Sequence, residues 1–253
     1  MTKAMILASC HEKGGVGKTT SVVSIGHGLA LRGKRVLLLD CDTQNQLAWF
    51  LGLRENTDIG LGDKLLDEEN NIPLSNFILP TERQGLDVIP AGTKLPLAVR
   101  EISKRMIAPE QALTEAMSTA TELYDYILLD MSPNWDPFTV NCMMFVRGLL
   151  CPLHLDWPSV DSLGKLLRDM EPAQKYNKAL EILLFIPTHY DSRLTESRHI
   201  LEELKKKFGE KVCPPIRKTV RYGKAAGRGK TIYEYDPSAA DDYERIVDRI
   251  ENL

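Results

Sequence analysis

Apolar residues fall along the chain in two alternating kinds of run. Short, nearly unbroken stretches occupy 5–8, 36–39, 86–89, 126–129, 149–152 and 182–186. Each has the length of a strand, and the continuously apolar runs at 36–39 and 126–129 predict strands covered on both faces. Between the runs, apolar residues recur at helical spacing, as Val22, Ile25 and Leu29 do early on, and as Ile102, Met106, Leu113 and Met117 do later. Strands joined by helix-length crossovers predict an α/β fold: a three-layer, doubly wound, mostly parallel sheet flanked by helices. The polar stretch 54–76 reads as an inserted surface region, and 239–251 as an acidic amphipathic helix packed on the body. With no repeat, low-complexity tract or linker, residues 1–253 are expected to form a single domain.

Composition changes this picture little. Hydrophobic residues make up 43% of 253, enough for a sizeable core, and the net charge of −3 gives no bulk attraction to nucleic acid or anionic lipid. Any such contact must come from a local patch. Cys10, Cys41, Cys142, Cys151 and Cys213 are scattered, odd in number and without a CxxC pair. They argue against a disulfide framework or zinc site and read as small buried hydrophobes in a reducing compartment. The first apolar run is too short for a signal peptide, and no stretch approaches a membrane span, so a cytoplasmic protein is expected.

The chemistry begins directly after the first strand. Gly14, Gly15, Val16, Gly17, Lys18, Thr19 and Thr20 form a glycine loop that ends in GKT and opens a helix. Such a loop turns successive backbone N–H groups toward phosphate oxygens, and the helix adds its positive end. Lys18 would reach the β- and γ-phosphates, and the Thr19 hydroxyl would ligate Mg2+. Lys13 stands at the loop's entrance, where spacing alone also allows a solvated charge. The run at 36–39 leads into Asp40 and Asp42, two carboxylates on the ligand-binding edge of an open sheet, one of which could instead cap the next helix. The run at 126–129 ends in Asp130, the form of a Walker B acid that holds magnesium through a water, with an edge-of-strand turn residue as the other reading.

The loop KGGVGKTT resembles the deviant phosphate loop of the ParA/MinD family of ATPases, with Lys13 matching the signature lysine. The resemblance implies an ATP-dependent homodimer in which Lys13 crosses to the partner's ATP phosphates. Asp40-Cys41-Asp42-Thr43-Gln44 resembles the family's DxDPQGN switch, giving Asp42 the attacking water and placing Asp40 near the metal. Here Thr43 replaces the proline, Asn45 the glycine and Gln46 the asparagine, which bears on loop stiffness rather than on the carboxylates. Met131-Ser132-Pro133 stands for Thr-Pro-Pro, and Asn141 falls where the family often has an asparagine. Further on, Thr188–Arg193 is similar to T-x-x-D-x-R, 216–221 to IPRNVR and 229–237 to GKPVxxYDP, so the resemblance spans residues 5 to about 250. It is closest to short Soj-like partition proteins, without the helix-turn-helix extension of longer plasmid relatives.

Charge points to the same branch. Residues 214–230 hold Arg217, Lys218, Arg221, Lys224, Arg228 and Lys230 with no acid, which suits phosphate-backbone contact, a solvated face being the bland reading. By resemblance Arg193 and Arg221 carry non-specific DNA binding, and Arg217 is counted with the nucleotide site as well. The expected function is a Mg-dependent ATPase, slow alone and stimulated by a ParB-like or other adaptor. It would bind double-stranded DNA non-specifically over the nucleoid and position a plasmid, chromosome or protein body. The alternatives are a MinD-like membrane-positioned ATPase, disfavoured by the acidic last helix, and a metabolic P-loop enzyme or metal-cluster carrier. Cys142 and Cys151 make no convincing match to the paired cysteines of iron–sulfur relatives.

Overall fold

The computed structural model describes residues 4–67, 69 and 71–253. Seven strands form one sheet: β1 (Met5–Ser9), β2 (Val36–Cys41), β3 (Leu79–Pro80), β4 (Leu86–Ile89), β5 (Tyr126–Met131), β6 (Gly148–His154) and β7 (Ile182–Thr188). Their spatial order is β3-β4-β2-β5-β1-β6-β7, and every pairing is parallel except β3 with β4. Alternate residues of β2 enter opposite cores: Leu37, Leu39 and Cys41 one, Val36 and Leu38 the other. That is why the run carries no polar alternation.

One layer of helices begins with α1 (Lys18–Leu31) and α2 (Leu47–Phe50). The opposite layer is drawn from α3 (Leu61–Leu66), α4 (Leu95–Ile102), α5 (Ala112–Ala116), α6 (Ala120–Leu123), α7 (Pro137–Phe145), α8 (Trp157–Asp169), α9 (Glu171–Tyr176) and α10 (Thr195–Phe208). The chain then returns to the first layer with α11 (Arg221–Gly227), α12 (Ile232–Tyr235) and α13 (Pro237–Glu251). Three helices start the same way, on an aspartate followed by proline in the first turn. Asp136 accepts from Thr139 N, Asp156 from Ser159 N and Asp236 from Ala239 N. Each supplies an acceptor to an otherwise orphan donor while proline fixes the entry angle.

The six expected strands are present, most of them longer at the carboxyl end, and β3 is an unanticipated two-residue edge. Two other expectations fail. The helical spacing of Ile102, Met106, Leu113 and Met117 does not describe one helix: α4 stops at Ile102, Ala108 takes φ +43°, and Pro109 disfavours a helical predecessor. Met106 is 99% exposed, while Leu113 and Met117 are buried through α5. Nor is 54–76 merely an insertion, because Leu61, Leu65 and Leu74 from this region are core residues. The reading of 239–251 holds, with Ala239, Ala240, Tyr243, Ile246, Val247 and Ile250 buried. All five cysteines are buried.

Candidate nucleotide-binding site

β1 lies between β5 and β6, so the chain leaving it meets the crevice where the crossovers run to opposite sides of the sheet. Ligands of open α/β sheets bind at that point. The loop there is shaped by glycine: Gly15 and Gly17 sit at φ +75° and +96°, in the left-handed region. A side chain added at Gly14 or Gly15 would meet nothing within 4 Å, so the loop's outer surface is open. Gly17 caps α1 without a side-chain bond, and no acid occupies the first turn. The helix end is therefore left electropositive, as anion binding requires. From the other side Thr188 Oγ1 donates to Val16 O at 2.9 Å, fastening the loop to the end of β7.

Lys18 is buried and folds over its own loop, its Nζ donating to His11 O and Lys13 O at 3.1 Å each. Burial lowers its pKa, against the opposing pull of Asp130. Ser9 of β1 and Asp40 of β2 flank Asp130 in register on β5, so a charge cluster sits at the strand ends. Burial pushes Asp130 up to about 7, opposed by a hydrogen bond from Thr19 and by Lys18. Its Oδ1 is buried without a hydrogen-bond partner among the described residues. An orphaned carboxylate oxygen beside the Thr19 hydroxyl fits a hydrated divalent cation next to phosphate.

Asp40 behaves differently. Its Oδ1 accepts from Asp42 N and its Oδ2 from Leu47 N, both at 3.0 Å, while burial and Asp130 raise it to about 8. It lies in register beside Asp130, and both of its oxygens also brace the 42–47 turn. Asp42 is only half-buried, and its Oδ1 accepts from Gln44 N at 3.0 Å. Asn45 stands at φ +51°, the conformation that a glycine would take most easily and that asparagine tolerates. Its side chain donates to Thr57 O at 2.9 Å and accepts from Gly92 N at 3.4 Å. Asn141 is a structural tie, joining Leu113 N and Pro137 O.

A cleft of about 1020 Å³ runs from Gly15, Gly17 and Thr20 to Arg193, Arg217 and Lys218. The expected nucleotide and DNA residues are thus partly one surface. Arg217 is committed within it: Nε donates to both oxygens of buried Asp242 and Nη2 to Ser238 O. Arg193 is held by Asp191 at 2.7 Å although 87% exposed, and Arg221 is paired with Asp236. The segment without acids in sequence therefore meets two in space, Asp242 and Asp236. Among the described residues Lys218, Lys224 and Lys230 make no ion pair, and Arg228 lies 5.2 Å from the Tyr235 ring. Arg221, Lys224 and Arg228 share one side of α11 and its end by their three- and seven-residue spacing.

Lys13 turns away from its own loop to Asp156 and Ser159 at the start of α8. Nothing at the level of motifs singles these partners out, although Asp156-Trp157-Pro158-Ser159 carries the signature of a helix start. The rings of His154 and His189 lie 4.0 Å apart beside this site; of the two, only His189 falls within a motif, at a variable position of T-x-x-D-x-R.

A glycine loop that carries a parallel strand into a helix, with a buried acid on the adjacent strand, defines a P-loop nucleoside triphosphatase. A family model described as an AAA domain matches residues 4–182. The chain belongs to the ParA/MinD family of ATPases. It is 35% identical to the sporulation initiation inhibitor protein Soj of Bacillus subtilis, covering 92% of this chain and 91% of that one. It is 34% identical to the chromosome partitioning protein ParA of Caulobacter vibrioides, covering 93% and 88%. Among solved structures it resembles cobyrinic acid a,c-diamide synthase from Mycobacterium smegmatis, bound to an ATP analogue and magnesium. That likeness has a TM-score of 0.81 at 29% identity, over 98% of this chain and 95% of the other.

Proposed function

We propose that this ParA-type ATPase is a magnesium-dependent switch that pairs with a second copy over bound ATP and then binds duplex DNA without sequence preference. A ParB-like adaptor carried by the cargo would speed hydrolysis and end the association, over the nucleoid. The observation that carries the reading is the direction of Lys13. A lysine serving its own loop would lie over it, as Lys18 does, whereas Lys13 is held outside by Asp156. Two facing triphosphates repel, and exchanged lysines would make pairing depend on both.

Lys18, Thr19 and Asp130 would hold the triphosphate and magnesium, the metal supplying charge neutralisation between phosphates. Lys18 exchanges two loop carbonyls for phosphate oxygens, and the backbone of Gly14 to Thr20 cradles them. Asp42, at the open edge, orients and activates water, while Asp40 fixes the turn that carries it. Lys218, Lys224, Arg228 and Lys230 supply the phosphate-backbone contacts, with Arg193, Arg217 and Arg221 available as their exposed pairs exchange.

The diamide synthase name of the Mycobacterium smegmatis relative favours a second reading, in which ATP drives amide formation. A mobility shift on random duplex DNA separates the two. Retardation with ATP, but not with ADP or without nucleotide, is the expected result. Binding equal in all three states, or absent with ATP, would sink the switch reading.

A further inference from the structure

The contacts around Lys13 form a small built site. Its Nζ donates to Asp156 Oδ1 at 3.0 Å, to Asp156 Oδ2 at 2.9 Å and to Ser159 Oγ at 3.1 Å, so all three ammonium protons are used. Its backbone N–H is also taken, donating to His11 Nδ1 at 3.0 Å. Asp156 is itself fixed, because Oδ1 caps α8 by accepting from Ser159 N at 2.9 Å. Burial works against the Asp156 charge, but hydrogen bonds from Ser159 and Lys13 hold the carboxyl at about 2. Ser159 is fully buried, whereas the side chains of Lys13 and Asp156 are 31% and 37% exposed. The ion pair is thus ordered by its base and open at its face.

We infer that Asp156, assisted by Ser159, is a positioning residue that holds Lys13 off its own phosphate loop and yields it to the nucleotide of a second copy. This rests on the exchange of Lys13 proposed above. A single chain's triphosphate already has Lys18 and the loop amides as counter-charge, and Lys13 is tied elsewhere. A facing triphosphate offers several anionic oxygens against one carboxylate, so it displaces the pair. Pairing then gains only the difference between the two contacts. Asp156 thereby sets how much ATP-bound protein is needed before two chains close, and removing its charge makes closure easier.

Two measurements on the full chain test this. Asp156→Asn keeps an acceptor suited to the start of α8 but removes the charge. In nucleotide-free protein, an amine-reactive reagent read by mass spectrometry should modify Lys13 several-fold more slowly than Lys224, and Asp156→Asn should erase the difference. The concentration of non-hydrolysable ATP analogue with magnesium at half-maximal pairing, followed by sedimentation, should fall about three- to fivefold. Ser159→Ala should move both readings the same way by less, which keeps the test independent of any folding defect in one variant. Labelling of Lys13 unaffected by Asp156→Asn, or a midpoint that stays or rises, overturns the inference. Chains that never pair, with the labelling contrast intact, overturn the proposed exchange and the hand-over with it. Pairing at an unchanged midpoint overturns the hand-over alone.

Discussion

At the scale of single residues, the two switch acids differ in what their oxygens touch. Asp40 spends both on backbone amides, whereas half-buried Asp42 accepts from Gln44 N through Oδ1. The proposed water-handling role of Asp42 would leave the turn braced by Asp40 intact. Asp42→Ala should leave nucleotide affinity within about threefold and slow phosphate release by roughly a hundredfold, a usual cost of losing a general base. Nucleotide titration and a phosphate-release assay check the pair of values. His11 has a different leverage. Burial, with Lys18 nearby, lowers its pKa from 6.5 to about 4. Between those values the unfolded chain binds the extra proton, so stability grows as pH rises from 4 to 6.5 and is lost on acidification. The full effect is about 3 kcal/mol. Protonation would also remove the Nδ1 acceptor that receives Lys13 N. Melting temperatures of His11→Gln across this range should show a distinctly flatter pH dependence than those of the unsubstituted protein.

At the scale of elements, the basic segment is best understood with the helix beside it. Asp236 caps α13 and Asp242 lies in its second turn, and they hold Arg221 and Arg217 against it. Arg221→Glu would put a carboxylate against the Asp236 cap, so lost DNA binding there would mix charge reversal with a loosened helix. Lys224 is exposed on the same side of α11 and makes no ion pair among the described residues. Lys224→Glu should weaken ATP-dependent DNA binding by about tenfold or more at low salt, leaving the melting temperature within about 2 °C. The salt dependence of binding should become shallower by about one to two counterions per chain. Titrations at several salt concentrations, beside a thermal melt, distinguish this from a folding defect.

At the scale of the whole molecule, α1 is shared by the phosphate loop and the carboxyl-terminal layer. Near its start Ser21 Oγ lies 3.1 Å from Tyr243 Oη, and just past its end Arg32 pairs with Glu244, Asp248 and Glu251. Between them His27 Nδ1 meets Thr231 Oγ1 at 2.6 Å. The helix that follows the glycine loop is thus fixed to the same helix that steadies the basic segment. Tyr243 is 1% exposed and is among the largest fully buried side chains. Tyr243→Ala should cost about 3–5 kcal/mol of unfolding free energy through the cavity it leaves. Tyr243→Phe, which loses only the hydroxyl, should cost about 1 kcal/mol. Denaturant unfolding of both variants resolves packing from the hydrogen bond.

The layer order and six strands were legible from sequence because burial on both faces demands unbroken apolar runs, which leave a mark in local composition. The glycine loop was legible for a related reason: Gly15 and Gly17 occupy backbone conformations that few other residues tolerate, so the chemistry and the letters coincide. A two-residue edge such as β3 has too few positions to show a period, and the 102–117 pattern looked helical because spacing cannot register an intervening loop. Asn45 is an intermediate case, its left-handed conformation being predictable only once the turn around it is seen. What sequence alone determined is what the backbone requires of nearby residues: the strands, the phosphate loop and the acids at strand ends. Tertiary structure decided the pairing of charges, because an ion pair depends on distance in space. Asp236 and Asp242 come from outside the basic segment to meet its arginines, and Asp156 reaches Lys13 from 143 residues away.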